Sequence, residues 1–253
     1  MQQTLIAFTL AFMAGISTCL GALFVLKIKK KSNKIIIASL AFASGVMFFL
    51  SITDLTKEAF LYLNEELFAF PSVLILLIFL VVGIIISWLI DKKFPNDVLT
   101  LKKEKNLYKV GIISMIAIIV HNIPEGIATF MTASDNLRLG ISLALAITMH
   151  NIPEGISIAM PLYYATNDKK KAFLYTLLSG GSEFLGSILA FLFLAPLMSP
   201  IFMGILFSLI AGIMIHISMY ELLPTSLKYH NYKLTIIFFL IGALFVLFNI
   251  IIF

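Results

Sequence analysis

The amino-acid sequence predicts an all-α integral membrane protein with eight transmembrane helices and both termini on the outer side. Three observations lead to this prediction: an apolar composition, a series of charge-poor segments of helical length, and an alternation of lysine-rich and lysine-poor connectors. Of the 253 residues, 60% are hydrophobic and 12% are charged. A soluble domain has about a quarter charged residues and fewer than half apolar ones, so this composition excludes a fold surrounded by water.

Eight apolar segments have the length of a membrane crossing, which takes about 20 residues. They comprise residues 4–26, 35–54, 72–90, 109–131, 138–162, 172–195, 200–222 and 234–253. We expect residues 1–253 to form a single transmembrane domain, with a cytoplasmic loop at 91–109 and a tight turn at 196–200. The first segment has no positive charge before it and no cleavage pattern after it, which favours a retained helix over a signal peptide.

Lysine and arginine assign the two sides of the membrane. Sixteen of the 18 basic residues lie in the connectors that follow the odd-numbered segments, and the other two are Lys57 and Arg138. Cytoplasmic connectors of membrane proteins are enriched in these residue types. An alternation that persists through every crossing therefore supports both the number of helices and the outer location of the termini.

Two further features exclude other classes of protein. The net charge of +5 would be compatible with a nucleic-acid partner, but the cytoplasmic orientation signals account for it. Cys19 is the only cysteine, which excludes a disulfide scaffold. The acids among the cytoplasmic lysines are expected to be solvated: Asp91, Asp97, Glu104 and Asp168.

Two identical hexapeptides, His-Asn-Ile-Pro-Glu-Gly, occur in the fourth and fifth segments at residues 121–126 and 150–155. Both begin near the membrane midplane, and the two segments run antiparallel. A charged side chain at the bilayer centre costs about 2.5–3.5 kcal/mol, so ionisable residues there are functional candidates. Two copies on antiparallel helices can face each other across a pseudo-two-fold axis, an arrangement that places substrate sites at mid-membrane.

Helical geometry divides the side chains of each hexapeptide between two directions. The asparagine lies about 100° and the glutamate about 40° from the histidine around the helix axis. The glutamates can therefore serve both a His-side site and an Asn-side site, and they bridge two metal ions if both sites are filled. Imidazole and carboxylate suit zinc and its first-row neighbours. The candidate metal ligands of the two hexapeptides are His121, Asn122, Glu125, His150, Asn151 and Glu154.

A third acid, Glu183, lies near the middle of the sixth segment, within residues 179–183. Small residues around it allow close helix approach. We add Glu183 to the candidate ligands, beside the Asn-side site, although the sequence leaves its rotation open. Pro124 and Pro153 each remove a helical hydrogen bond, and the freed carbonyl groups are tolerated where they line a cavity or find partners.

Asp54 ends the second segment on the outer side, whereas His216 and Glu221 lie toward the inner end of the seventh segment. Acids at the mouths of a pathway attract cations. We therefore interpret Asp54, His216 and Glu221 as candidate entrance and exit residues. The competing interpretation gives these three residues a structural role at the membrane interfaces, and the midplane set a role as a structural polar core.

On these motifs, the sequence resembles the ZIP family of divalent-metal transporters, and most closely its bacterial zinc-uptake members. The resemblance covers nearly the whole chain, including the paired hexapeptides, residues 179–183 and the Tyr-Glu-Leu-Leu-Pro stretch at 220–224. One departure is the loop at 91–109, which contains no histidine, whereas many relatives have a histidine-rich loop there.

The resemblance implies a 3+2+3 arrangement of helices with inverted repeats, a homodimer in the cytoplasmic membrane of a bacterium, and no enzymatic activity. It also implies a binuclear site formed by the seven candidate ligands. The expected substrate is zinc, moved inward, with variable tolerance for iron, manganese, cobalt and cadmium, and no resident cofactor is expected.

Two hypotheses compete with a zinc transporter. One is a membrane-embedded metal-dependent hydrolase, which the missing HExxH motif and the presence of only two midplane histidines disfavour. The other is a proton- or sodium-coupled carrier of an organic solute. Proton-coupled and facilitated metal flux both fit the residues, and a comparison of flux with and without a pH gradient separates them.

Overall fold

A computed structural model describes residues 2–93, 103–194 and 199–252 of the chain. These ranges consist of helices and short connectors, and none of them contains a β-strand. The all-α fold class is therefore confirmed. The helices, numbered in chain order, are α1 Gln2–Lys27, α2 Asn33–Glu66, α3 Ala69–Lys93, α4 Lys103–Asp135, α5 Leu137–Thr166, α6 Lys169–Leu189, α7 Pro200–Leu227 and α8 Tyr232–Ile252.

Polar caps and short connectors define where several helices begin. Ser32, Asn136, Asp168 and Ser199 each precede a helix and accept a hydrogen bond from a backbone N–H group of its first turn. Such caps satisfy N–H groups that have no partner within the helix. Asn136 alone joins α4 to α5, so the two helices that carry the hexapeptides turn back directly on each other.

The second helix is longer than its apolar sequence suggests. α2 continues past residue 54 to Glu66, through a π-helical turn at Ser51–Leu55. A helix satisfies its backbone hydrogen bonds internally, so its polar end can extend beyond the hydrocarbon region. The outer extension of α2 packs mainly on α7, and its Lys57 and Glu58 line a cavity that residues of α4 and α5 also line.

The cytoplasmic loop is shorter than the expected 91–109. α3 continues to Lys93 and α4 begins at Lys103, because lysines at helix ends can reach the aqueous boundary without ending the helix. Residues 94–102 of this loop lie outside the described residues. The same holds for 195–198, and hence for most of the expected tight turn at 196–200.

Among the described residues, six helices are long and apolar enough to cross a membrane, namely α1, α2, α3, α4, α6 and α7, and α8 contributes a shorter apolar segment, Tyr232–Phe248. α5 is not among these six helices, although it carries the same hexapeptide as α4. It packs against α1, α2, α4 and α6, which separate much of its surface from lipid. The chain is therefore a multi-pass membrane protein.

The helices form an inner bundle of α1, α4, α5 and α6, flanked by the other four. Within the bundle, α1 packs mainly on α5 and α6 packs mainly on α4; on the flanks, α2 packs on α8 and α3 packs on α7. A two-fold axis that exchanges α1–α3 with α6–α8, and α4 with α5, converts each of these pairs into another pair. The helix contacts thus follow the 3+2+3 inverted-repeat arrangement.

The closest approaches between helix backbones obey the same exchange. Gly21 of α1 lies against the carbonyl group of Ile152 in α5, and Gly186 of α6 lies against the carbonyl group of Ile123 in α4. A Cβ atom at either glycine would collide with that carbonyl oxygen. Both carbonyl groups belong to the isoleucine of a hexapeptide, so the inner bundle holds the two motifs in equivalent positions.

The repeat is also visible in the sequences of α2 and α7. Each helix contains a π-helical turn, at Ser51–Leu55 and Ile217–Leu222. With Gly45 aligned on Gly212, Asp54 is equivalent to Glu221. π-helical turns frequently occur at functional sites, and these two hold the acids of the candidate entrance and exit. The identical pairs in this alignment are Gly45 and Gly212, Met47 and Met214, Ser51 and Ser218, and Leu55 and Leu222.

Replacement of Gly45 by alanine tests the contact between α2 and α8. A Cβ atom there would collide with the carbonyl oxygen of Phe239, and overpacking of this kind costs about 1–3 kcal/mol. We expect Gly45→Ala to lower the thermal unfolding midpoint of the protein in detergent. Gly181→Ala is the matched control, because a Cβ atom at Gly181 meets no atom within 4 Å. Equal midpoints for the two variants would contradict the backbone contact.

Candidate metal site

The seven candidate ligands converge in the interior of the inner bundle. All are buried, and the most exposed of them, His150, exposes 7% of its surface. α4 and α5 continue as helices through Pro124 and Pro153, so each hexapeptide presents its side chains with helical spacing. Glu183 reaches the same region from α6 and is fully buried.

The histidines and the glutamates of the two hexapeptides form one group of contacts. His150 Nε2 is 2.8 Å from Glu125 Oε1, and His121 Nε2 is 3.1 Å from the same oxygen and 3.3 Å from Glu154 Oε1. His121, Glu125 and His150 each offer a ligand atom within 4.8 Å of the others. This group occupies the direction expected for the His-side site and brings together atoms that suit a transition metal.

The asparagines and Glu183 form a second group. Asn151 Nδ2 donates hydrogen bonds to Glu183 Oε2 at 2.8 Å and to the carbonyl oxygen of Ala14 at 2.9 Å. Asn122 Nδ2 donates to the carbonyl oxygen of Ser179 at 3.3 Å. The structure thus places Glu183 on the side of the asparagines, which settles the rotation that the sequence leaves open.

Many buried polar atoms of these residues have no hydrogen-bond partner within the described part of the chain. A buried carboxylate oxygen without a partner is costly, and such atoms are rare unless another group completes them. A cation that binds several oxygens and imidazole nitrogens would satisfy them together. The unpartnered ligand atoms include Asn122 Oδ1, Glu125 Oε2, Asn151 Oδ1, Glu154 Oε2 and Glu183 Oε1.

A cavity of about 450 Å³ connects the site with the outer end of the bundle. Glu125 and His150 lie at its inner end, whereas Asp54, Lys57 and Glu58 line its outer part. Asp54 therefore lies where an entrance residue is expected. Lys57 and Glu58 line the same cavity. The sequence pattern does not reveal this, because their proximity to the cavity depends on the helical extension of α2.

The inner ends of α3, α4 and α7 form a second polar cluster. Asp91 Oδ1 and Lys109 Nζ form an ion pair at 2.5 Å, with 20% of the Asp91 side chain exposed. Glu221, a candidate exit residue, lies beside Asp91. The expectation that Asp91 is solvated is wrong, because contacts between α3 and the neighbouring helices partly enclose it.

His216, the other candidate exit residue, is buried and 3% exposed. Its Nδ1 atom is 2.9 Å from Ser87 Oγ, and its ring stacks on Tyr220 at 5.0 Å between ring centres. Asp168, one of the other acids expected to be solvated, is exposed and caps α6. The side chains of Asp97 and Glu104 lie outside the described part of the structure.

Comparison with known proteins identifies the family of the chain. The family model of the ZIP zinc transporters matches residues 96–250. A zinc transporter ZupT from Clostridium perfringens is 37% identical, with 93% of this chain and 92% of the relative covered. Its counterpart from Oceanobacillus iheyensis is 38% identical, with 90% and 91% covered, and that from Streptococcus mutans is 36% identical, with 93% and 92% covered.

These relatives are bacterial and match the chain over nearly its full length. Together with the apolar helices, they place the protein in the cytoplasmic membrane of a bacterium as a multi-pass protein. The chain therefore belongs to the ZIP zinc transporter family.

Proposed function

We propose that this protein carries Zn²⁺ inward across the cytoplasmic membrane through the buried site between α4, α5 and α6. The observation that carries the proposal is the convergence of two histidines and three carboxylates at one place in the interior of a membrane protein. Family membership supports the same function, since the relatives are named zinc transporters. The protein is a transporter and not an enzyme, which removes the hydrolase as a rival.

The two groups of side chains support a binuclear site. The His-side group offers imidazole nitrogens and carboxylate oxygens, and the Asn-side group offers amide and carboxylate oxygens. The glutamates of the hexapeptides lie between these groups and would bridge two ions. Zinc accepts both kinds of ligand, and iron, manganese, cobalt and cadmium are further substrates in this proposal because the ligand set is mixed.

The route begins at the outer cavity. The carboxylates of Asp54 and Glu58 would raise the local concentration of cations near its mouth, and the ion would then pass to Glu125 and His150 at the inner end. Release would take the ion past His216 and Glu221 at the inner end of α7. In this proposal, residues 1–253 act as one transmembrane transporter domain, and two copies associate as a homodimer.

Alanine substitution of the midplane glutamates is the central test. Glu125→Ala and Glu154→Ala each remove a carboxylate that neither the lipid nor the remaining residues can replace. We expect zinc uptake into proteoliposomes to fall to the level of empty liposomes for both variants. Glu65→Ala is the matched control, because Glu65 is an exposed acid on the outer extension of α2. Unchanged uptake in both midplane variants would refute the proposed site.

Neutralising the entrance acid should impair capture more than translocation. We expect Asp54→Asn to raise the zinc concentration at half-maximal uptake several-fold at low ionic strength while the maximal rate changes little, since the residue attracts the ion without holding it at the midplane. Added salt should reduce this difference, because salt screens the long-range attraction between Asp54 and an approaching ion. Initial uptake rates at several zinc and salt concentrations provide the measurement.

Asp135→Asn is the control for this experiment, because Asp135 is an exposed outer acid at the end of α4. A general effect of surface charge would shift both variants equally. An Asp54→Asn variant with wild-type kinetics at every salt concentration would exclude Asp54 as the entrance residue.

A further inference from the structure

The internal two-fold relates α1 to α6 residue by residue around the metal site. The sequence Gly15-Ile16-Ser17-Thr18-Cys19-Leu20-Gly21 aligns with Gly180-Gly181-Ser182-Glu183-Phe184-Leu185-Gly186 without a gap, and both glycines, the serine and the leucine are identical. In this alignment, the position equivalent to the candidate ligand Glu183 is Thr18.

Contacts in the structure support the alignment independently of the sequence. Gly155 of the second hexapeptide lies against the carbonyl oxygen of Thr18, and Gly126 of the first hexapeptide lies against the carbonyl oxygen of Glu183. A Cβ atom at either glycine would collide with that oxygen. Thr18 and Glu183 therefore occupy equivalent positions in the two halves of the inner bundle.

The side chains at these two positions also face equivalent neighbours. A Cβ atom placed on Gly15 would lie 3.4 Å from Glu183 Oε2, and a Cβ atom placed on Gly180 would lie 3.1 Å from Thr18 Oγ1. Gly15 and Gly180 are themselves equivalent in the alignment. The Thr18 hydroxyl group therefore lies next to Gly180, as the carboxylate of Glu183 lies next to Gly15 in the other half.

Asn122 and Asn151 make different hydrogen bonds in the two halves of the inner bundle. Asn151 donates both to the carbonyl oxygen of Ala14 and to Glu183. Asn122 donates to the carbonyl oxygen of Ser179, the residue equivalent to Ala14, but a second acceptor equivalent to Glu183 is missing among the described residues. Thr18 stands at the position of that acceptor, but no hydrogen bond joins it to Asn122 among the described residues.

The hydroxyl group of Thr18 has no hydrogen-bond partner in the described ranges, although the residue is fully buried. A buried hydroxyl group usually finds a protein or water partner. Threonines in helices commonly satisfy themselves by donating to a carbonyl group one turn earlier, as Thr176 does to Ala172. Thr18 does not, so its oxygen remains available to a ligand.

We propose that Thr18 is an eighth residue of the metal site, a neutral oxygen donor at the position that the internal two-fold pairs with Glu183. This inference rests on the proposed zinc site. Three carboxylates leave one positive charge uncompensated when two divalent ions are bound, and a fourth carboxylate at position 18 would remove it. A neutral residue at position 18 therefore lowers the affinity for one of the two ions, because the number of charged ligands sets the affinity of such sites.

Two substitutions at position 18 test the proposal by zinc titration calorimetry on the purified protein and by uptake into proteoliposomes. Thr18→Val keeps the side-chain volume and removes the hydroxyl oxygen. The zinc site of lower affinity should then bind its ion several-fold more weakly. Thr18→Glu adds the fourth carboxylate, for which Gly180 leaves space as Gly15 does for Glu183. We expect it to bind the weaker ion at least about tenfold more tightly and to release it more slowly during uptake.

Thr176→Val is the matched control, since Thr176 is an equally buried threonine whose hydroxyl group is satisfied within α6. Its zinc affinity should equal that of the wild type. Thermal unfolding without metal identifies a misfolded variant, and if Thr18→Glu does not fold, Thr18→Val alone decides the outcome. Wild-type affinity in Thr18→Val, or in a folded Thr18→Glu, would overturn the role of Thr18 while leaving the zinc site intact. If the wild-type protein itself does not bind zinc, that result would instead refute the proposed function.

Discussion

The carboxylate of Glu125 contacts both His121 and His150 in the interior of a membrane protein, and the carboxylate of Glu154 contacts His121. Both carboxylates receive fewer hydrogen bonds than their oxygens can accept. Burial of such groups is unfavourable unless other charges compensate it. The surrounding helices must therefore exclude lipid, hold both hexapeptides in register and still leave a route for a cation. Much of the architecture follows from these three requirements.

Close backbone contact meets the requirement for register. Glycines on α1 and α6 allow each of these helices to lie directly against a hexapeptide, and a single connecting residue keeps α4 and α5 adjacent. Helices that touch through main-chain atoms move as rigid units more readily than they deform. A site that depends on all four helices of the inner bundle would respond to any relative shift between them, which suits a protein that must alternately bind and release an ion.

Hydropathy and the alternation of lysines were sufficient to predict eight helices, because both follow from the solvent properties of the membrane. The paired hexapeptides predicted which polar side chains meet in the interior of the bundle, since an ionisable residue at mid-membrane needs a reason to be there. Pattern alone could not predict that α2 extends to Glu66, nor that Asp91 is enclosed beside Lys109. These features depend on tertiary contacts. The orientation of the Glu183 side chain and the equivalence of Thr18 and Glu183 depend on such contacts as well.

The inverted repeat has a consequence for how the chain is inserted into the membrane. The two units of three helices lie in the membrane in opposite orientations. Two similar units can do so only if the lysines that set their orientation are placed differently. In the first unit, the lysines follow the first helix at residues 27–34; in the second unit, residues 195–199 contain none, and Lys228 and Lys233 follow the second helix instead. The two halves thus share a scaffold but carry opposite charge patterns, so lysine placement distinguishes the inserted direction of one half from that of the other.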